Sequence, residues 1–215
     1  ERKRAEEALR LSEERWQFAL EGAGDGVWDL NLKTGKAFRS HRWKEMLGYC
    51  DEEITDSRDE WTRLVHPDDR GSSDEDLYRH VRGETPLYMS EYRIQCKDGS
   101  YKWILDRGKI IELDSDGRPL RIIGTQSDIT ERKRAEEALR QSEGRYRTIF
   151  EHTATANIIV AEDATILLAN SKFEKLVGYP KNELEGRMKW TSFVKEEDLE
   201  RMKRYHAMRR IDPAS

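Results

Sequence analysis

Cysteine is scarce in this 215-residue chain, and long apolar runs are missing. The two cysteines, Cys50 and Cys96, are too few for a disulfide framework and lack the spacing of a metal site. We therefore expect reduced thiols and a cytoplasmic location. No apolar run approaches the roughly 20 residues that cross a bilayer, and no signal peptide is present. The sequence therefore predicts no membrane segment in this fragment.

An excess of either charge is also missing, since 39 Lys and Arg stand against 43 Asp and Glu. Without a basic stripe to neutralise phosphates, nucleic acid is not an expected partner. The chain also lacks a phosphoacceptor histidine box, an ATP-binding glycine motif and a cyclase motif. Asp68 and Asp69 lack a third metal ligand, and acids in a first helical turn have a structural role. We therefore predict neither an enzyme nor a metal site.

What the chain does contain is an internal repeat. Its first ten residues, ERKRAEEALR, return letter for letter at residues 131–140, a period of 131 − 1 = 130 residues. Such self-similarity indicates one architectural unit repeated. We predict an N-terminal amphipathic helix at 1–22, a complete domain at 23–129, a linker helix at 130–150 and the first half of a second domain at 151–215.

The two helical repeats carry small or apolar residues at alternating spacings of four and three, which is a heptad pattern. The predicted seam consists of Ala5, Leu9 and Trp16 in the first copy and Ala135, Leu139 and Tyr146 in the second. Ser12 and Ser142 lie on the same seam and weaken it. We expect an adjustable homodimer contact through these helices, and the alternative is a single helix laid on its own domain.

The alternation of residues between the helical repeats predicts an α+β domain. Two strands, several short helices and three long strands follow in order, which predicts a five-stranded antiparallel sheet with the helices on one face. The predicted strands span residues 26–32, 37–40, 88–95, 101–113 and 119–128. Asp128 as N-cap and Glu131 at N3 predict a capping box, so the last strand passes stiffly into the linker helix.

Six motifs in this order resemble a PAS domain with its C-terminal PAC motif. They are Trp61…His66-Pro67-Asp68-Asp69, Glu91-Tyr92-Arg93, the stretch KDGSYKW at residues 97–103, Gly124, and Asp128-Ile129-Thr130 followed by Glu131-Arg132-Lys133. The resemblance implies a sensory or dimerisation module of a bacterial or archaeal signalling protein. It also implies a downstream output domain in the parent chain, of histidine kinase or diguanylate cyclase type, and signal coupling through Asp128, Ile129 and Thr130.

A PAS domain usually works through a pocket between its sheet and its short helices, which here would take an unknown small molecule. The candidate walls are Trp28, Trp43, Met46, Leu47, Tyr92, Ile94, Trp103, Leu105 and Ile122. Plain core packing is the alternative for each of them, because buried aromatic residues are usually core. A ligand-free dimerisation module therefore stays open.

No cofactor is predicted. A light-sensing flavin adduct needs a cysteine in an Asn-Cys-Arg-Phe context, and the nearest stretches, SHRW at 40–43 and NSKF at 170–173, have none. Haem is the other alternative, with His80 on the long helix as its ligand and a gas or redox signal. We disfavour haem because a histidine at this position is also ordinary in the PAS subtype that this chain resembles, which does not bind haem.

The second domain contains only its first two strands, predicted at 154–160 and 164–170. Their edges are expected to stay bare, so this region is predicted to be loosely ordered or to borrow pairing from another chain. Glu91 and Arg93 share one strand face and are expected to form ion pairs with neighbouring side chains.

Overall fold

A computed structural model of the chain describes Glu7 and residues 24–211. The helix predicted for residues 1–22, with its seam positions Ala5, Leu9 and Trp16, lies outside the described residues apart from Glu7. The chain divides into two compact units at Glu136 and Glu137.

Five strands form one antiparallel sheet in the first unit, in the order β2-β1-β5-β4-β3. Their bounds are β1 Gly26–Asn31, β2 Ala37–Arg39, β3 Tyr88–Gln95, β4 Tyr101–Leu113 and β5 Pro119–Asp128. The strands alternate inward and outward side chains, so one face of the sheet is buried. The predicted α+β class and five-stranded sheet are confirmed.

The connection from β2 to β3 holds the short helices. They are α1 His41–Met46, a 3₁₀ turn Asp51–Glu53, α2 Arg58–Leu64 and α3 Pro67–Val81. Ser40 caps α1, and His66 accepts the N–H of Asp68 at the start of α3, where Pro67 occupies N1. His66 is thus the N-cap of α3.

Two buried clusters lie between the sheet and these helices. One gathers around Trp43 and includes Met46, Leu47 and Ile94, all nearly inaccessible. The other gathers around Trp28 and includes Leu77 and Ile122. Burial at this scale is the main driving force for folding the unit.

The connecting helix, α4, spans Thr130–His152. It is followed in the second unit by β6 Ile158–Val160, β7 Ile166–Ala169, α5 Ser171–Val177, α6 Lys181–Leu184, a 3₁₀ turn Trp190–Phe193 and α7 Glu196–Ile211. A small core collects Ile166, Ala169, Phe173, Leu184 and Trp190.

The strands of the second unit are shorter than predicted, and their edges differ. The outer edge of β7 is covered, because Ile166 exchanges backbone hydrogen bonds with Gly186 and Met188. The prediction of bare edges is therefore wrong for β7, whose outer edge pairs with a loop, as the outer edge of β2 pairs with residues 56–58 in the first unit. Within the described residues, β6 pairs only with β7.

Candidate functional site

A buried carboxyl group lies at the centre of the first unit. Asp106 points inward from β4 and is 3% exposed. Its Oδ1 accepts a hydrogen bond from Trp28 Nε1 at 2.6 Å. Its Oδ2 accepts from the hydroxyl of Tyr92 at 2.6 Å and from Gln126 Nε2 at 2.8 Å. The carboxyl therefore holds β1, β3 and β5 together.

Two further indoles extend this cluster to the helices. Trp43 Nε1 on α1 donates to Gln126 Oε1 at 2.6 Å, and Trp61 Nε1 on α2 donates to the Tyr92 hydroxyl at 2.8 Å. An indole N–H can only donate, so Trp43 must face the carbonyl oxygen of the Gln126 amide. We call the six residues Trp28, Trp43, Trp61, Tyr92, Asp106 and Gln126 the Asp106 network.

Burial dominates the electrostatics of this network. It raises the pKa of Asp106 to about 7, against the opposing effect of the hydrogen bonds from Tyr92, Gln126 and Trp28. Burial, followed by the charge of Asp106, raises the pKa of Tyr92 well above its ordinary value. Asp106 is therefore a carboxyl whose charged and neutral forms are close in free energy near neutral pH.

A small cavity of about 50 Å³ adjoins the network. The indoles of Trp28, Trp43 and Trp61 line it, together with the guanidinium groups of Arg39 and Arg58. Sites for drug-sized ligands usually measure ~300–1,000 Å³. In this conformation the cavity has room for a few waters or a very small molecule.

Arg39 is a buried cation beside this cavity. It is 4% exposed, and its guanidinium donates to the carbonyls of Thr55 and Ser57, each at 2.9 Å, and lies 5.1 Å over the Trp43 ring. Burial lowers its pKa from the ordinary arginine value. Arg39 thus fixes the loop before α2 and completes the wall.

The predicted pocket walls separate into three groups. Trp28 and Trp43 line the cavity. Those buried on the inner face or in the core without lining it are Met46, Leu47, Tyr92, Ile94 and Ile122.

Trp103 and Leu105 do not belong to the pocket, and that prediction is wrong. Tyr92 pairs with Ile104, so the inward residues of β4 are Ile104, Asp106 and Gly108. The apolar Trp and Leu suggested the wrong face, because the true inward face holds an acid and a glycine.

Asp106 and Gln126 were missed for the same reason, since polar residues in a strand are normally assigned to solvent. The available signal was phase. Asp106 follows Ile104 by two residues, and Gln126 follows Gly124 by two, so each lies on the buried face.

The passage from β5 into α4 is held by the backbone of Trp103. Its N–H donates to Thr130 Oγ1 at 3.0 Å, and its carbonyl accepts the N–H of Ile129 at 2.9 Å. Asp128 Oδ1 accepts the N–H of Thr130 at 2.9 Å, and Lys102 Nζ lies 3.0 Å from Asp128 Oδ2. The three predicted coupling residues thus form one bonded junction with β4.

The expected capping box forms by half. Asp128 caps the helix, but the carboxylate of Glu131 accepts from Arg134 at 2.7 Å instead. The Asp128 backbone is part of the β4–β5 ladder, opposite Ile104. Burial raises the pKa of Asp128, yet the hydrogen bonds from Thr130 and Lys102 outweigh it and lower the net value.

An outward-facing cluster ties the first turn of α4 to the sheet. The carboxylate of Glu91 on β3 lies 2.5 Å from Arg132 Nη2 and 2.6 Å from Lys133 Nζ. Lys133 Nζ also lies 5.0 Å from the centre of the Trp103 ring. Hydrogen bonds from Lys133 and then Arg132 lower the pKa of Glu91.

Comparison with known proteins identifies the family to which this fold belongs. A family model described as PAS fold matches residues 36–126, and a second with the same description matches 144–211. The crystal structure of a sensory box histidine kinase/response regulator from Burkholderia thailandensis is 39% identical, with a TM-score of 0.56. The match covers 62% of this chain and 98% of that one. The chain belongs to the PAS-fold family.

Curated relatives are longer than this PAS chain. Sensor protein FixL of Bradyrhizobium diazoefficiens is 29% identical over 173 residues, which cover 80% of this chain and 34% of the relative. The probable diguanylate cyclase DgcE of Escherichia coli is 26% identical over 186 residues, which cover 86% of this chain and 16% of the relative. The chain thus spans about a third or less of these two relatives.

The HPDD and EYR motifs of the first PAS domain contact each other. Asp69 accepts two hydrogen bonds from the Arg93 guanidinium, at 2.7 and 2.8 Å, and one from its backbone N–H at 2.9 Å. These bonds lower the pKa of Asp69. Arg93 also lies 5.5 Å over the Trp103 ring. The expected ion pairs of Glu91 and Arg93 are both formed.

Both ring nitrogens of His80 have partners in this PAS domain. Nδ1 lies 2.9 Å from the Thr85 carbonyl, and Nε2 lies 3.3 Å from the backbone N–H of Ile110. A carbonyl can only accept and an N–H can only donate, so Nδ1 donates to Thr85 and the lone pair of Nε2 faces Ile110.

The seam positions described on α4 face solvent. Leu139 and Tyr146 are 61% and 75% exposed, and Ala135 is exposed as well. Between residues 24 and 211, no set of three or more His, Cys, Asp or Glu is grouped to hold a metal. No helix in that range combines the length and apolarity needed to cross a membrane.

Proposed function

We propose that this chain is a sensory PAS module of a signalling protein, in which a change in the Asp106 network reaches α4 through Asp128, Ile129 and Thr130. A small ligand or a protein partner at the cavity supplies the signal, and the two copies of α4 in a homodimer change their arrangement in response. The parent is of histidine kinase or diguanylate cyclase type, as the names of its relatives suggest. A cytoplasmic location is part of the proposal.

The observation that carries this proposal is that the network and the junction share two neighbouring strands. Asp106 and Gln126 are opposite each other in the β4–β5 register. Gln126 precedes Asp128 by two residues, and Trp103, whose backbone holds Ile129 and Thr130, precedes Asp106 by three. A shift of β5 against β4 therefore changes the bonds at both places.

The exposed seam supports the dimer. Ala135, Leu139, Ser142 and Tyr146 recur at spacings of four, three and four, and Ile149 continues the stripe with 65% exposure. A stripe of this kind is stabilised when it packs against a second helix. Signalling by such a helix needs two discrete arrangements, which a seam with Ala and Ser permits.

A ligand-free dimerisation module is the second candidate. The volume of the cavity favours it, since about 50 Å³ is well below the ~300–1,000 Å³ of a usual ligand site. Native mass spectrometry of the purified chain distinguishes the two, because a retained small molecule adds its mass to the protein.

The test of coupling uses Thr130→Val, which keeps the shape of the side chain and removes the acceptor for the Trp103 N–H. A spin label on Gly144→Cys, in a Cys50→Ser, Cys96→Ser background, reports the distance between the two copies of α4. A Cβ at Gly144 meets no atom within 4 Å, so the label is tolerated. We expect Thr130→Val to shift the distance distribution.

Thr148→Val is the matched control, because Thr148 is exposed and bonds only the Gly144 carbonyl one turn earlier. It should leave the distribution unchanged. A monomer in analytical ultracentrifugation, or an identical distribution in Thr130→Val, contradicts the proposal.

A further inference from the structure

We propose that the first PAS domain binds and senses a proton at Asp106, so that the local pH is a signal that this module reads. This inference deepens the proposed function and rests on it, because the proton would act through the same network and junction.

The hydrogen bonds at 2.6 to 2.8 Å around Asp106 all come from donors, and the hydroxyl of Tyr88 is a further hydrogen-bond partner. Trp28 Nε1 faces Oδ1, while the Tyr92 hydroxyl and Gln126 Nε2 face Oδ2, all at 2.6 to 2.8 Å. The carboxylate is the form that this arrangement satisfies. A proton on Oδ2 points at Tyr92 or Gln126, which already donate to that oxygen, whereas a proton on Oδ1 can turn to the Tyr88 hydroxyl or to the small cavity that Asp106 also lines.

The neighbours cannot all reverse. Trp28 has only its N–H to offer, and the Gln126 amide is held by Trp43, whose indole requires the carbonyl oxygen. Turning that amide to accept from a protonated Asp106 would set its NH₂ against the Trp43 N–H. The Tyr92 oxygen already accepts from Trp61 and Gln126. Protonation at Oδ2 therefore breaks at least one buried hydrogen bond, and protonation at Oδ1 needs a new acceptor, so either change rearranges the network that joins β1, β3 and β5 to Asp106.

The charged and titratable groups that face this site from the other elements are already engaged. Arg39 on β2 holds loop carbonyls, and Arg58 on α2 pairs with Asp74 on α3 at 2.8 Å. Asp76 on α3 accepts from Ser90 at 2.8 Å. From β3, Tyr88 and Tyr92 have pKa values raised by burial and by Asp106, so both stay neutral. Asp106 is thus the group in this set that is poised to titrate near neutrality.

Burial of Asp106 determines how the stability of the domain depends on pH. The folded pKa of Asp106, about 7, lies above the ordinary value of 3.8, so the folded domain binds this proton more tightly than the unfolded chain. The stability from this group is fully present below about pH 4 and is lost as the pH rises towards 7. Its titration therefore falls where a cell's pH varies.

The experiment follows tryptophan emission of the full chain from pH 5 to pH 9, because three indoles lie in the network. We expect a transition with a midpoint near pH 7 in the wild type, and its loss in Asp106→Asn, which keeps the shape without the proton. Asp116→Asn, with the native side chain 65% exposed in the β4–β5 turn, is the matched control and should keep the transition. The spin label on Gly144→Cys should change its distance with the same midpoint.

Each outcome of this experiment either supports or overturns the proposal. A wild-type emission that does not titrate, or a transition that survives Asp106→Asn, overturns the proposal. If Asp106→Asn does not fold, the infrared band of a protonated carboxylic acid in the wild type replaces it. That band must persist well above the pH at which exposed carboxyls ionise, and its absence is equally fatal. If emission titrates and Thr130→Val moves the label but pH does not, proton sensing fails while the coupling stands. If neither moves the label, both fail.

Discussion

The two PAS domains of this chain begin alike and then diverge. In the first, Ser40 Oγ accepts the backbone N–H groups of Val27 and Trp43, which fastens the hairpin to α1. In the second, Asn170 Oδ1 accepts from the two positions that lie 130 residues later. The β1–β2 register is also repeated, since Trp28 opposes Arg39 as Ile158 opposes Ala169.

The difference lies in what the later strands bring. Tyr92, Asp106 and Gln126 come from β3, β4 and β5, so the polar network needs the long half of the domain. The second domain, as far as residue 211, has a hairpin, short helices and a small apolar core. The shared half is a local scaffold, while the Asp106 network is completed by strands distant in sequence.

The largest expected effect is a loss of stability in the first domain alone, caused by a substitution at Gly124. A Cβ there would lie 2.2 Å from the Arg107 carbonyl oxygen and 2.3 Å from the Trp28 ring. Backbone cannot yield as a flexible side chain does, so Gly124→Ala should destabilise the first domain by at least about 3 kcal/mol. Hydrogen exchange with mass spectrometry reads the two domains separately and should show loss of protection only before α4.

Gly71→Ala is the control for that change. Gly71 lies inside α3, a Cβ there meets nothing within 4 Å, and alanine is the better helix former. It should stabilise by up to about 1 kcal/mol. Unchanged protection in Gly124→Ala would show that Trp28 does not pack on that glycine.

A smaller effect compares the two caps. Asn170 is completely buried and also donates to the carbonyls of Phe150 and Thr155, whereas Ser40 acts only as an acceptor. Asn170→Ala should cost about 2–3 kcal/mol and Ser40→Ala about 1 kcal/mol, by denaturant unfolding. Asn170→Asp keeps the acceptor but sets a buried carboxylate oxygen against the Phe150 and Thr155 carbonyls, so it should not recover the loss. Equal costs would show that the donor bonds contribute nothing.

Much of this fold could be predicted from the sequence, because its cues are local. Alternation located β3, turn residues located its partner β4, and the Pro67 and acidic first turn located the start of α3. The site could be predicted only in part. Asp106 and Gln126 become hydrogen-bond partners only when strands about 20 residues apart in sequence pair with each other. A single sequence does not show which buried side chains will bond to them.

The second domain also contains pairing that its sequence does not reveal. Its strands were predicted as bare pairs, yet the loop at Gly186 and Met188 covers β7. Pairing by an irregular segment has no alternation to reveal it. The seam on α4 was readable as a pattern, but its partner lies outside any single chain, so it stays a prediction.

The smallest expected effect concerns the hairpin turns. The first domain places Gly35 in the left-handed region, with φ 70°, and the second places Ala164 there, with φ 72°. Glycine adopts this conformation without steric cost, and alanine does not. The second turn is therefore strained where the first is relaxed.

Exchanging the two residues tests this contrast. Gly35→Ala should cost about 1 kcal/mol, because it introduces the strain that Ala164 already bears. Ala164→Gly should stabilise the second domain by about 0.5 kcal/mol, since relief of strain is offset in part by the lost contact of a half-buried methyl group. Denaturant unfolding of both variants, followed in each domain by hydrogen exchange, measures the two signs. If Ala164→Gly destabilises, its methyl contact with the small core outweighs the backbone strain, and packing rather than turn geometry selects the residue at this position.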